Sequence, residues 1–221
     1  MGSPADEVGR FNDEGPQTEV TISKSFWLGK TEVTQAQWES LMGGNPSHSK
    51  GPDLPVEQVS WRDAMAFCEV LTQREREAGR LPEGYEYTLP TEAQWEYACR
   101  AGTTTRFSFG DSDIDLGDYG WYKQNLGIRT HPVGEKLANP WGLYDMHGNV
   151  NEWCRDWKGF YPGGTVTDPA GAASGSTFRI LRGGSWNLIA RYCRSAVRNW
   201  NGPGDSDYGD GFRVALVPVS L

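Results

Sequence analysis

Apolar positions recur at two different spacings along this chain of 221 residues, and the texture changes near residue 102. In the segment TEVTISKSFWLGK, Val20 and Ile22 alternate with polar neighbours and lead to Phe26, Trp27 and Leu28, the period of two expected of a strand. Thr34-Gln35-Ala36-Gln37 has the spacing of a capping box, with Trp38, Leu41 and Met42 on one face of a short helix that Gly43-Gly44 ends. A second helix is predicted from Ser60, with Asp63 in its first turn. Ala64, Phe67, Cys68 and Leu71 fall at i, i+3, i+4 and i+7 along it, and Gly79 is its stop. Thr91-Glu92-Ala93-Gln94 repeats the capping box and opens a third helix, which buries Trp95 and Ala98 before Gly102.

Beyond Gly102 no helical period survives, and Gly, Pro, Asn and Asp punctuate almost every short apolar run. FRILRGGSW (178–186) reads as a buried strand broken at Gly183-Gly184. GFRVALVPV (211–219) reads as a final strand with Phe212, Val214 and Leu216 on one face. The expectation is an α+β fold: a single domain over residues 1–221, with three short helices first, then short antiparallel strands and long loops. Composition sharpens this. The chain holds 28 Gly and 13 Pro beside 10 Trp, 9 Tyr and 8 Phe, which describes irregular segments pinned by large aromatic anchors. No apolar run approaches the ~20 residues of a membrane helix, so no span is expected.

The net charge of −8 argues against a general nucleic-acid binder. Its distribution is uneven. From Phe178 onward the basic residues are six arginines (Arg179, Arg182, Arg191, Arg194, Arg198, Arg213) against Asp205, Asp207 and Asp210. Two roles are open for these arginines: forks that satisfy buried carbonyls and carboxylates, or a basic patch for an acidic ligand. Cys68, Cys99, Cys154 and Cys193 show no paired metal-ligand spacing, and with three His a structural zinc site is not expected. Disulfides cannot be read from these spacings, although Cys68 and Cys99 fall on helix faces, where buried free thiols are expected. The chain opens on Met1-Gly2-Ser3 without a basic and apolar leader, so a domain excised from a longer protein is expected and its compartment stays open.

Several blocks carry a family resemblance. LPVEQVSWRDAMAFC, LPTEAQWEYACRAG, HPVGEKLANPWGLYDMHGNVNEWCRDW and RILRGGSW, followed by CRSAVR and GFRV, resemble the domain of the formylglycine-generating (sulfatase-modifying factor) enzymes, in the family's order from about Glu14 to Val214. The resemblance implies a compact, loop-rich, C-type-lectin-like fold, in agreement with the α+β reading. It does not settle function. Oxidases of the family carry two cysteines for copper, because two soft thiolates select Cu(I). In the matching run, Gly183 to Arg194, Leu188 falls where the first cysteine would be and Ile189 where the accompanying His would be, leaving Cys193 alone. No copper is therefore expected. Iron-dependent members use His ligands, and His48, His131 and His147 offer no such set.

The segment between the family's fixed blocks looks different from an enzyme's. It is similar to the variable region of proteins diversified by retroelements, which also lies at the C-terminus of a C-type lectin fold, and Asn187, Asn199 and Asn201 would be unmutated template positions. Aromatic anchors set among short polar residues have the composition of a paratope. The candidate ligand-binding residues, within residues 182–214, are Leu188, Ile189, Tyr192, Val197, Trp200, Gly202, Asp205, Asp207, Tyr208 and Asp210, the other role open to Leu188, Ile189 and Val197 being the core of a long loop. The expected role is a non-catalytic binding domain of a bacterial or phage protein, with a protein or surface glycan as partner. The alternative is a copper-dependent formylglycine-generating oxidase or related enzyme of the same fold. The stretch from Asp145 to Glu152 resembles the family's calcium loop, which implies Asp145, Gly148, Val150 and Glu152 as ligands of a structural Ca²⁺. The other role open to Asp145 and Glu152 is pairing with the C-terminal arginines.

Overall fold

Each of the three predicted helices forms, and each starts on a reciprocal cap. In the computed structural model, which describes residues 1–125, 128–173 and 175–219, α1 (Gln35–Met42) begins at Thr34. Its hydroxyl accepts from Gln37 N while Gln37 Oε1 accepts from Thr34 N. Helix α2 (Trp61–Glu77) is capped in the same way by Ser60 and Asp63, and α3 (Glu92–Arg100) by Thr91 and Gln94. These pairs satisfy N–H groups that the first helical turn leaves open. One further turn of helix, α4 (Leu116–Tyr119), lies beyond the point where helical periodicity ends; four residues are too few to show it.

Among the described residues the strands build three small sheets. β1 (Glu19–Thr21) pairs with β5 (Thr165–Thr167), and β2 (Trp27–Leu28) and β3 (Tyr85–Thr88) flank β9 (Ala215–Pro218). The largest sheet runs in the order β7 (Asn199–Asn201), β6 (Arg179–Arg182), β4 (Asn151–Trp157), β8 (Asp210–Gly211). The expectation of antiparallel strands holds for most pairs, but β1–β5 and β4–β8 are parallel, joining segments far apart in the chain. The last strand also differs from the expected one. Gly211 is taken by β8 and Arg213 is drawn inside, so β9 begins at Ala215 and points Ala215 and Val217 inward, with Leu216 half-buried. The edge of β3 is closed by α2, where the Thr72 hydroxyl accepts from Tyr87 N at 2.8 Å and donates to Tyr87 O.

The main core lies where α1 and α2 meet the two larger sheets. Trp38 stacks on Phe67 at 5.5 Å between ring centroids, and Phe212 meets both edge-on, with Trp153 and Leu181 in the same cluster. A second cluster gathers Trp95, Cys99, Met146, Cys154 and Ile180 behind α3, and a third gathers Phe107, Leu116, Tyr122, Ala190 and Cys193. All four cysteines are free and buried. The break after β6 is steric. Gly183 and Gly184 have φ of 95° and 77°, and a Cβ on Gly184 would stand 2.7 Å from Cys193 Sγ and 2.8 Å from Tyr192 O.

Candidate functional site

The six C-terminal arginines are internal or tied down, and this decides what the segment can present. Arg213 forks onto Glu152, with Nε and Nη2 each 2.6 Å from a carboxylate oxygen, and donates to Gly29 O and Tyr144 O. Arg198 forks onto Glu92 at 2.7 and 2.8 Å and reaches Gly159 O. Arg182 donates to Glu96 and to the carbonyls of Ser195 and Val197. Arg194 binds Glu14 with both terminal nitrogens and also Glu7 and Gly9 O. Arg179 is sandwiched between Trp61 and Trp157, its guanidinium 3.7 and 3.5 Å from the ring centroids. Arg191 donates to Gly9 O and lies over Phe11. The forks, and not a basic patch, are the role they play. Each buried pair fixes one point of the C-terminal segment to an earlier element.

Between these fixed points two loops come to the surface. One runs from Trp186 to Tyr192 and the other from Gly202 to Gly209. They touch where Trp186 Nε1 donates to Tyr208 O at 3.3 Å, with the two rings 5.7 Å apart. Residues at the start of α2 hold the second loop: Gln58 N donates to Asp207 O and Arg62 N to Pro203 O. Ile189, Trp200 and Tyr208 are 40–44% exposed, and Asp205 and Asp207 are exposed beside them. Leu188 is half-buried, its carbonyl accepting from Lys123 N. Gly202 is half-buried in a turn where Asp205 accepts from its N–H.

Three expected contact residues face elsewhere. Val197 is 1% exposed, because Arg182 draws the Cys193–Arg198 run inside through the Ser195 and Val197 carbonyls. Asp210 is 4% exposed in β8, where Asn151 Nδ2 donates to it at 3.0 Å. Its carboxyl is pushed up to about 7, first by burial and then by the charge of Asp207, against the lowering effect of the Asn151 donor. Tyr192 is half-buried and its ring packs on Phe11 at 5.3 Å, so it supports the loop from below. Trp186, by contrast, is a surface participant that its place in the fixed Gly-Gly-Ser-Trp block concealed. Nothing in the sequence marks it out except the aromatic itself.

The place of a thiol reaction centre is occupied by a sealed interior. Cys193 is buried, with its thiol pushed up to about 12 by burial and then by Asp113, so the thiolate that would bind a soft metal is disfavoured. Beneath it His147 donates from Nδ1 to Cys193 O at 2.8 Å, and its Nε2 accepts from Ser108 N. Burial holds this imidazole down to about 4, so it is neutral. Among the described residues no group of three or more His, Cys, Asp or Glu side chains is placed to hold a metal ion.

The expected calcium loop is split. Glu152 gives both oxygens to Arg213 and also accepts from Trp95 Nε1 at 2.8 Å. Asp145 accepts from Gly134 N at 2.7 Å through Oδ2, while its Oδ1 is buried without a partner. Glu32 lies beside it, with both carboxylate oxygens buried and unpartnered. Burial raises both carboxyls; the charge of Asp145 then takes Glu32 well above its ordinary value, whereas at Asp145 the added repulsion comes from Glu152 and a hydrogen bond with Glu32 lowers it. Asp145 thus leaves one buried oxygen free beside Glu32, but Glu152 would turn to a cation only by giving up part of its arginine fork, and the three carboxylates are not grouped as a metal site.

Comparison with known proteins agrees with this architecture. Residues 1–217 match the sulfatase-modifying factor enzyme 1-like domain. The formylglycine-generating enzyme of Streptomyces coelicolor is 34% identical over 210 residues, covering 86% of this chain; the chain spans 60% of that enzyme's length. Among solved structures, Treponema denticola variable protein 1 superposes with a TM-score of 0.80 at 35% identity, covering 86% of this chain and 84% of its own. PvdO from Pseudomonas aeruginosa superposes with a TM-score of 0.86 at 29% identity over 98% of this chain and 90% of its own. The fold is the C-type-lectin-like one of these relatives.

Proposed function

This chain belongs to the sulfatase-modifying factor enzyme 1-like domain family, and from that premise we propose that it is a non-catalytic binding domain whose two C-terminal loops form the docking surface. The contact residues are Ile189 and Tyr208 with Leu188 and Trp186 on the loops, Trp200 on β7 where it runs into the second loop with Lys158 over its ring, and Asp205, Asp207 and Gly202 at the rim. The partner is a protein or a surface glycan. One observation carries the reading: Ile189 and Tyr208 are exposed on loops, and Trp200 on the strand that feeds the second loop, whose ends are fixed by buried arginine forks, while Leu188 stands where a second thiol would be and Cys193 is sealed. Such loops can change side chains without loosening the frame, and rigid rings among short polar residues suit recognition. The likeness to a protein named as variable supports diversification of residues 182–214.

Relatives named as formylglycine-generating enzymes favour a second reading, oxidation of a peptidyl cysteine. The two readings part on turnover. Incubated with copper, oxygen and a peptide bearing a sulfatase-type cysteine, the domain should yield no aldehyde. A formylglycine product overturns the proposal.

A further inference from the structure

Away from the docking loops, the segments 159–162 and 169–172 close over a cavity of about 220 Å³ beside the N-terminus of α3. Phe160, Tyr161, Pro162, Pro169 and Ala172 give it an apolar wall, and Phe160 projects almost fully exposed at the mouth. Asp156 on β4 also lines the cavity, although the residue is only 3% exposed. Its Oδ2 accepts from Glu92 N at 2.8 Å. The other charged groups that line the cavity, the Met1 ammonium, Glu92 and Arg198, are already matched: the ammonium donates to Thr18 O at 2.8 Å. Glu92 takes the Arg198 fork and the Tyr161 hydroxyl at 3.0 Å, and Arg198 lies 4.0 Å over the Tyr161 ring. Among the described residues no lysine or arginine pairs with Asp156. The loop is built close against it: a Cβ on Gly171 would fall 2.7 Å from Asp156 Cβ.

We infer that this cavity is a binding site for a small primary amine, whose ammonium pairs with Asp156 and whose apolar body lies along Tyr161, Pro162, Pro169 and Ala172. A buried carboxylate without a cation is costly, and an apolar pocket with one convergent charge is the usual form of a small-ligand site. The volume suits a ligand of about ten non-hydrogen atoms. An acid in the ligand would meet Glu92 and Asp156 together. A neutral alcohol would leave the carboxyl without its counter-charge. Burial, then the charge of Glu92, pushes the Asp156 carboxyl up to about 7, against lowering effects of Glu92 N, Arg198 and Arg155. The amine must therefore drive ionisation of Asp156 when it binds.

Benzylamine is the probe, with benzyl alcohol and benzoate as controls, followed by calorimetry and by chemical shifts at Tyr161 and Ala172. Benzylamine should bind at least tenfold tighter than either control. Its affinity should rise about tenfold per pH unit below pH 7 and level off above it, as the ionised fraction of Asp156 does. Asp156→Asn keeps an acceptor for Glu92 N and should abolish that preference. Ala172→Leu, which leaves the carboxyl untouched and fills the cavity, should block binding. Ile189→Ala with Tyr208→Ala should leave benzylamine binding unchanged, which separates this site from the docking loops. No binding of benzylamine, equal binding of benzyl alcohol, or full affinity retained in either Asp156→Asn or Ala172→Leu overturns the inference.

Discussion

Replacing Arg213 by Met strips the fork from Glu152 at a place where both residues are fully buried. The methionine fills much of the volume but offers no donor. Glu152 then keeps only Trp95 Nε1, and the carbonyls of Gly29 and Tyr144 each lose a guanidinium N–H. Breaking a buried ion pair by removing one partner costs about 3–5 kcal/mol. Two carbonyls left without a charged donor add about 1 kcal/mol each at the low end. The total, about 6 kcal/mol, is comparable with the whole stability of an ordinary domain, about 5–15 kcal/mol. Urea unfolding followed by tryptophan fluorescence should therefore show Arg213→Met at the edge of folding. Adding Glu152→Gln removes the orphaned charge, so the double variant should regain about 2 kcal/mol or more over Arg213→Met alone. A loss below about 1 kcal/mol for Arg213→Met, or simple additivity of the two single losses, would refute the view that the fork is the anchor of β8 and β9.

Three further outcomes follow from the same geometry. Asp210 is raised to about 7 in the folded state, so the folded protein holds a proton that the unfolded chain releases near pH 4; stability should fall as pH rises from 4 to 7. Asp210→Asn should remove about 4 kcal/mol of that slope, about three pH units at 1.36 kcal/mol each, and an unchanged pH profile would contradict it. Calcium should raise the melting temperature and EGTA lower it, with Asp145→Asn abolishing both effects; a curve indifferent to calcium assigns the Glu32–Asp145 surplus to a shared proton instead. Cys193→Ser should lower stability yet leave recognition of any partner intact, because the thiol lies under the loops and does not reach their surface; a specific loss of binding at unchanged stability would argue against the sealed-thiol account.

What could be read from the sequence was local. Thr34 with Gln37, Thr91 with Gln94, and the apolar face from Ala64 to Leu71 specify helices within a few residues, and all three form. The break at Gly183-Gly184 was legible because only glycine fits that approach. The destinations of the arginines are legible only for Glu152, which the sequence leaves open as a partner of the C-terminal arginines and which takes Arg213; the other carboxylates lie 86 to 187 residues away and nothing in the spacing names Glu7, Glu14, Glu92 or Glu96. The burial of Asp210, and the choice between core and surface for Val197, are illegible for the same reason: they are imposed by Asn151 and Arg182, which arrive from other strands. The half-burial of Tyr192 is equally remote from its local sequence, because its ring packs on Phe11, from the far end of the chain.

A display library answers the main question most directly. Ile189, Trp200, Asp205, Asp207 and Tyr208 are randomised together in one pool, and Arg182, Arg194, Arg198 and Arg213 in another; both are then sorted for resistance to protease. Survival of most of the first pool and collapse of nearly all of the second is the predicted result. A first pool that collapses as the second does would mean that those rings and acids hold the fold together, and the docking surface would have no basis.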